Sequence, residues 1–299
     1  MSRVGLLTIC FCVWASLCAA SPKQYPAEGI VIAIDKKALS IVISCEAIPG
    51  HMDAMEMSFK VHEPTVLNEL NVGATVHFTM VEEGPQVFAE HVRIVKNVNS
   101  EAEPIEAARL GFLRRALDPK AAATAVQAGQ VVPDFTLTDQ QHRSIHLSQF
   151  RGKVVALTFA YSRCPNPNYC FRLSNNLAQL QRRFSVRYRD DLILITVVID
   201  PAHDQGAALD RYAQTWKADP ARWHFLTGPL DEVRAVALLF GMDFWSDEGF
   251  LTHLFRTAVI DRDGRLVANL EGSQPTAKQL GDLVESVASS NPNEGTRLR

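Results

Sequence analysis

The chain is short of the features that most often announce a function. Its charges nearly cancel, 30 basic against 33 acidic residues for a net −3. That excludes the electropositive footprint of a nucleic-acid binder. Repeats and low-complexity tracts are absent, so solenoids and disordered scaffolds are excluded as well. The most sustained apolar run, about 16 residues near the amino terminus, is shorter than the ~20 of a comfortable membrane span. Cysteine is scarce: of six, Cys10, Cys12 and Cys18 lie in that same terminal stretch. No Cys-x-x-Cys pair occurs anywhere, which removes the usual dithiol redox motif.

What is present begins with an export signal over residues 1–20. Arg3 supplies the positive start, GLLTICFCVWASLCAA the apolar run, and Cys18-Ala19-Ala20 the small residues before a cut at Ser21. Cleavage gives a periplasmic or otherwise exported protein; a retained signal would anchor it to the inner membrane. The mature chain then keeps Cys45, Cys164 and Cys170. An odd number of thiols in an oxidising compartment leaves at least one unpaired, reactive or bound to metal.

With 299 residues, 47% of them hydrophobic, the chain can fill two cores. Residues 27–96 alternate in hydrophobicity and carry turn signals at Asp35-Lys36-Lys37, Asn71–Gly73 and Glu83–Pro85. Five short strands in so small a span predict an all-β barrel. Residues 97–130 read as a partly helical linker. From 131 to 290 strands and helices alternate, which predicts an α/β sheet covered by helices, and 291–299 read as a disordered tail.

The chemistry concentrates in YSRCPNPNYCFRL, residues 161–173. Cys164 and Cys170 follow the apolar strand VVALTFAY and precede a helix, which places them at the carboxyl edge of the sheet. The positive end of that helix is expected to favour thiolate over thiol. Pro165 and Pro167 stiffen the loop between them. The pair can serve as a structural disulfide, a redox dithiol or a metal site. No proline lies between Pro229 and Pro275, where a thioredoxin-type reductase would hold one opposite its cysteines, and His253 stands near that place. A peroxiredoxin-type peroxidase would carry Thr or Ser where Tyr161 stands.

Phe159–Leu173, the segment Asp200-Pro201-Ala202-His203-Asp204 and LTHLFRTAVIDRDGRLV resemble the Sco/SenC family of thioredoxin-fold copper proteins. That resemblance covers about residues 131–288. It implies a thioredoxin-like domain with Cys164, Cys170 and His253 as copper ligands, and the copper-bearing subunit of cytochrome c oxidase as partner. The commoner family spacing has three residues between the cysteines; this chain has five. Soft thiolates and an imidazole suit Cu(I), and two cysteines with one histidine would also suit catalytic zinc. Asp200 and Asp204 resemble the family's acidic segment, but also fit a turn followed by a helix cap.

In the first domain, ISCEAIPGHMDAMEMSF gathers soft side chains. Met55, Met57, Phe59 and Val61 share one strand face, and Cys45 is in phase with Ile41 and Ile43, so both sets are expected to point inward. Methionine and cysteine also serve as plain core residues. The segment from Gly29 through Phe59 and on to Gly73-Ala-Thr-Val resembles the CusF-like copper-binding domain, an OB-type barrel. The resemblance covers about residues 27–96 and implies metal ligation by Cys45, Met55 and Met57. Cys45 stands where that family has histidine and Met52 where some members have tryptophan; His51 is a further candidate. The expected function is an exported copper chaperone with two Cu(I) sites. The alternatives are a periplasmic thiol–disulfide reductase, with Cys164 attacking and Cys170 resolving, and a copper storage or resistance protein. A flexible tether between the two sites would raise their mutual concentration to about the mM range.

Overall fold

The computed structural model describes residues 22–95, 125–165, 167–247, 250–272 and 274–290. The expected export signal, most of the expected linker and the expected tail lie outside the described residues. Strands β1 (Lys23–Asp35), β2 (Ser40–Cys45), β3 (Glu56–Lys60), β4 (Thr75–Glu83) and β5 (Gln86–Ile94) close a barrel in the order β1-β2-β3-β5-β4. The one-turn helix α1 (Val66–Glu69) connects β3 to β4. The β1–β2 turn forms because the Asp35 carboxylate accepts the Lys37 and Ala38 N–H groups at 2.9 and 2.8 Å, a local bond that a short acidic side chain makes readily. Inward residues alternate as a two-residue period requires: Ile41, Ile43 and Cys45 on β2 and Phe59 on β3 are buried, while Glu56, Ser58 and Lys60 face outward.

The second half opens with a hairpin, β6 (Thr136–Thr138) and β7 (Ser144–His146). Its sheet runs β10-β9-β8-β13-β14, with β8 (Val154–Ala160), β9 (Leu192–Val198) and β10 (Trp223–Leu226) parallel. β13 (Arg256–Ile260) and β14 (Leu266–Glu271) complete it antiparallel. Every residue of β8 and β9 is buried, which is why both read as unbroken apolar runs rather than alternating ones. The covering helices are α2 (Arg172–Arg183), α3 (Ala207–Thr215), α4 (Leu230–Leu239) and α5 (Ala277–Ser289). Thr276 caps α5 in a reciprocal pair with Gln279. This is the expected thioredoxin-like α/β architecture.

FLTHLFRTAVI looks like a single strand, but it divides into β12 (Phe250–His253) and β13. β12 pairs with β11 (Phe244–Asp247) in a separate hairpin, with Phe244 opposite His253. Leu254 and Phe255 are buried at the break, so hydropathy does not drop where the chain changes partner.

Candidate metal centre

The chain leaves β8 at Ala160, turns through Tyr161–Pro165 and enters a single π turn, Pro167–Phe171, before α2 begins. π turns insert an extra residue into a helical path and recur at functional sites. Cys170 lies within it, 2% exposed, and Cys164 lies half-buried on the preceding turn. The two thiols contact each other and neither is in a disulfide.

His253 closes the site from β12. Its Nε2 stands 3.4 Å from the Cys170 sulfur, and its Nδ1 stands 2.9 Å from the Leu254 carbonyl. A carbonyl oxygen can only accept, so Nδ1 carries the proton and Nε2 offers its lone pair toward the sulfur. Burial lowers the His253 pKa to about 4, with the Leu254 bond opposing. The ring is therefore neutral at physiological pH, the form that binds metal. Phe255 and Tyr161 flank it edge-on, with ring centroids 4.6 and 6.0 Å away. The Tyr161 hydroxyl donates to the Leu251 carbonyl at 3.0 Å, tying the histidine's hairpin to the end of β8.

The expectation of a thiolate-favouring helix terminus does not hold for Cys170. Burial pushes its thiol well above the ordinary value, and the neighbouring Cys164 adds to the shift. Desolvation is the largest cause of that rise. Among the described residues, no three His, Cys, Asp or Glu side chains converge tightly enough to hold an ion. Cys170 and His253 form the built part, with Cys164 beside them on the loop.

The two aspartates of the Asp200–Asp204 segment hold that loop. Asp204, fully buried, accepts the Ser162 N–H at 2.8 Å and the Ser162 hydroxyl. Asp200 accepts Arg163 at 2.8 Å and lies 2.9 Å from His203 Nδ1. Neither aspartate caps α3, whose first turn has no side-chain cap. Both instead fasten the turn ahead of Cys164 to the loop after β9. Of the two readings the sequence left open for them, family segment or helix cap, the cap does not form. Asp204→Ala leaves the Ser162 donors unpaired and is expected to cost about 1–2 kcal/mol. Alkylation of Cys164 in the metal-free protein should become faster as well. A urea midpoint and a thiol-labelling time course check both effects.

At the barrel rim, Cys45 is 1% exposed. Burial pushes its thiol up to about 12, with Lys278 easing the shift. Met57 is half-buried against the barrel core, opposite Ile43. Met55 departs from the inward face expected of it and is 46% exposed. Strand pairing ends at Ser44 opposite Glu56, so Met55 stands beyond the rim, where the Cys45 N–H donates to its carbonyl at 2.9 Å. His51 is engaged elsewhere, stacked 3.8 Å from Tyr25 with Nε2 3.2 Å from Glu82. Met52 bridges to Ile48 in the same loop. Gly29 lies opposite Cys45; a Cβ there would come within 2.4 Å of the Ser44 carbonyl, so glycine is what lets β1 approach this rim.

Residues 123–288 match the family model SCO1/SenC, and residues 24–92 match the model Copper binding periplasmic protein CusF. A protein of Stutzerimonas stutzeri, named for copper binding, is 23% identical over 184 residues, 58% of this chain and 88% of its own. Yeast Sco1 with copper bound is 25% identical, with a TM-score of 0.48 over 57% of this chain and 95% of that one. ScoI of Bradyrhizobium japonicum with copper bound is 21% identical, with a TM-score of 0.45 over 53% and 99%.

Proposed function

The chain belongs to the SCO1/SenC family, and from that premise we propose that it is an exported copper chaperone carrying Cu(I) as cargo at two sulfur-rich sites. The observation that carries this reading is the His253 Nε2 lone pair held 3.4 Å from the buried Cys170 sulfur. A neutral imidazole locked in one tautomer beside two touching thiols is a soft, low-coordinate donor set. Cu(I) takes such a set, and sulfur ligands select it over harder divalent ions. Cys164, Cys170 and His253 are the proposed ligands there. In the barrel the proposed set is Cys45 with Met57 and Met55. Met55, exposed beyond the rim, is the ligand best placed to take up or give back the ion.

The proposed recipient is the copper-bearing subunit of cytochrome c oxidase, the usual role of this family. The thiol–disulfide reductase reading uses the same cysteines, with the half-buried Cys164 attacking and Cys170 resolving. Metal analysis after anaerobic purification and Cu(I) supply separates the two. Two equivalents should stay with the wild type, and one each with Cys164→Ser and Cys45→Ser. Absorption at the copper edge should show sulfur scattering in all three. Protein that retains no copper yet reduces partner disulfides would overturn the chaperone reading.

A further inference from the structure

The two halves do not merely share a chain. The middle of β1 is buried on both faces: Val31 enters the barrel core, whereas Ile30 and Ile32 join the core of the second half. Val42 and Val72 pack against that second core too. Gly73, at φ +86°, lies against β14 so closely that a Cβ there would come within 2.6 Å of the Ala268 side chain. The seam is also polar and specific. Ser44 donates from its hydroxyl to Asp282 on α5 at 2.6 Å, and Asp282 is held further by Lys278 at 2.6 Å and Arg183 at 2.8 Å.

The position of this seam matters for both donor sets. Ser44 immediately precedes Cys45. The Ser44 carbonyl also accepts the Gln279 side-chain N–H, from the first turn of α5, at 3.5 Å. Arg172 opens α2, two residues after Cys170, and donates to the Gln274 carbonyl at 2.7 Å. The barrel rim therefore meets the start of α5, and the helix that follows the cysteine loop is bonded to the segment leading into that same start.

Resting on the two-site copper reading, we propose that barrel and thioredoxin-like domain act as one docked body, in which Cu(I) crosses directly from the Cys45 rim to the Cys164–Cys170 loop over the ends of α2 and α5. The docked face, rather than the length of the connecting segment, sets the rate. The step is ligand exchange without redox change. Copper stays monovalent; the Cys164 and Cys170 thiols each release a proton as they bind it. Cys45 recovers one proton as it lets go, and one goes to solvent.

A tether and a docked face predict different responses to chain length. Inserting about 60 Gly/Ser residues within 96–124 roughly triples that segment, and a flexible tether would then lose about fivefold in effective concentration. The experiment uses the full chain with the Cys164–Cys170 pair first oxidised and one Cu(I) supplied to the barrel. The pair is then reduced, and arrival of copper is followed by the fluorescence of Trp216, which lines the groove beside both cysteines. The docked body gives an unchanged rate for the lengthened chain. Ile32→Asp, which charges the outward face of β1 without entering the barrel core, should slow transfer and make it length-dependent. Hydrogen exchange at the β2 and α5 amides, measured without copper, reports whether the variant has undocked. A fivefold fall on lengthening the wild type overturns the proposal, as does an undocked Ile32→Asp that transfers at the wild-type rate. Intact docking in a chain that holds copper at neither site sinks the two-site reading itself, and the proposal with it.

Discussion

Cys170→Ser should abolish tight Cu(I) binding by the thioredoxin-like domain while the domain stays folded. The cysteine is 2% exposed and its sulfur faces His253 Nε2. Serine fits the space, and its hydroxyl can donate to the same nitrogen, so the loss of packing is small. The loss of donor character is not. A hydroxyl is a hard oxygen that stays protonated at neutral pH, and Cu(I) gains little by exchanging a thiolate for it. Removing a group that merely supports a ligand costs roughly 10–100-fold in metal affinity; removing a ligand should exceed that range. Competition against a chromophoric Cu(I) chelator measures the drop, with circular dichroism as the folding control. Cys170→Ser that holds copper within tenfold of the wild type would remove this cysteine from the site and leave the thiol pair as a redox device.

The residues of that site were legible one at a time, but their assembly was not. Cys164 and Cys170 stand out because they follow VVALTFA, whose uninterrupted hydropathy marks a strand buried on both faces. His253 could be placed near them only through family resemblance, because its own strand pairs in a hairpin that the apolar run through Leu254 and Phe255 hides. Burial of the cysteine was hidden for a different reason. A helix end argues for thiolate from sequence alone, whereas desolvation depends on side chains brought from α3 and β12. The barrel shows the same split. Alternation along β2 and β3 gives the inward faces correctly for Ile41, Ile43, Cys45 and Phe59. It fails at Met55 because periodicity does not say where pairing stops. Least legible was the seam. Ile30 and Ile32 lie within GIVIAI, which reads as one strand of a barrel, and nothing local says that its outer face is covered as well. Ser44 and Asp282 are 238 residues apart, and no short-range pattern joins a serine to an aspartate at that distance.

Asp282→Ala should destabilise the intact chain by about 2–4 kcal/mol, and the difference from wild type should shrink in acid. The carboxyl is buried, and one side-chain removal strips three donors at once: the Ser44 hydroxyl, the Lys278 ammonium and the Arg183 guanidinium. Breaking a buried ionic group costs about 3–5 kcal/mol when the partner is left buried. Lys278 and Arg183 keep some solvent contact, which moves the expectation toward the lower figures. Burial by itself would raise the Asp282 pKa, but the bonds from Lys278, Ser44 and Arg183 outweigh it and hold the carboxyl below its ordinary value. A carboxyl depressed in the folded state adds stability that is full above its unfolded pKa of about 3.9, and that stability disappears as pH falls through the folded value. Glu46 and Glu56 at the same seam shift the other way. Burial raises both, with Glu28 adding to Glu46 and Asp282 to Glu56, so their protonation favours the folded state as the pH drops toward them. Urea unfolding of both proteins across pH 3–7 separates these contributions, because Glu46 titrates in both chains while Asp282 titrates only in one. Glu56 loses its charged neighbour in the variant, and its pKa should relax downward. A difference that stays constant down to pH 3 would show that Asp282 acts through the space it fills, and the charged latch between barrel and helix would have to be abandoned.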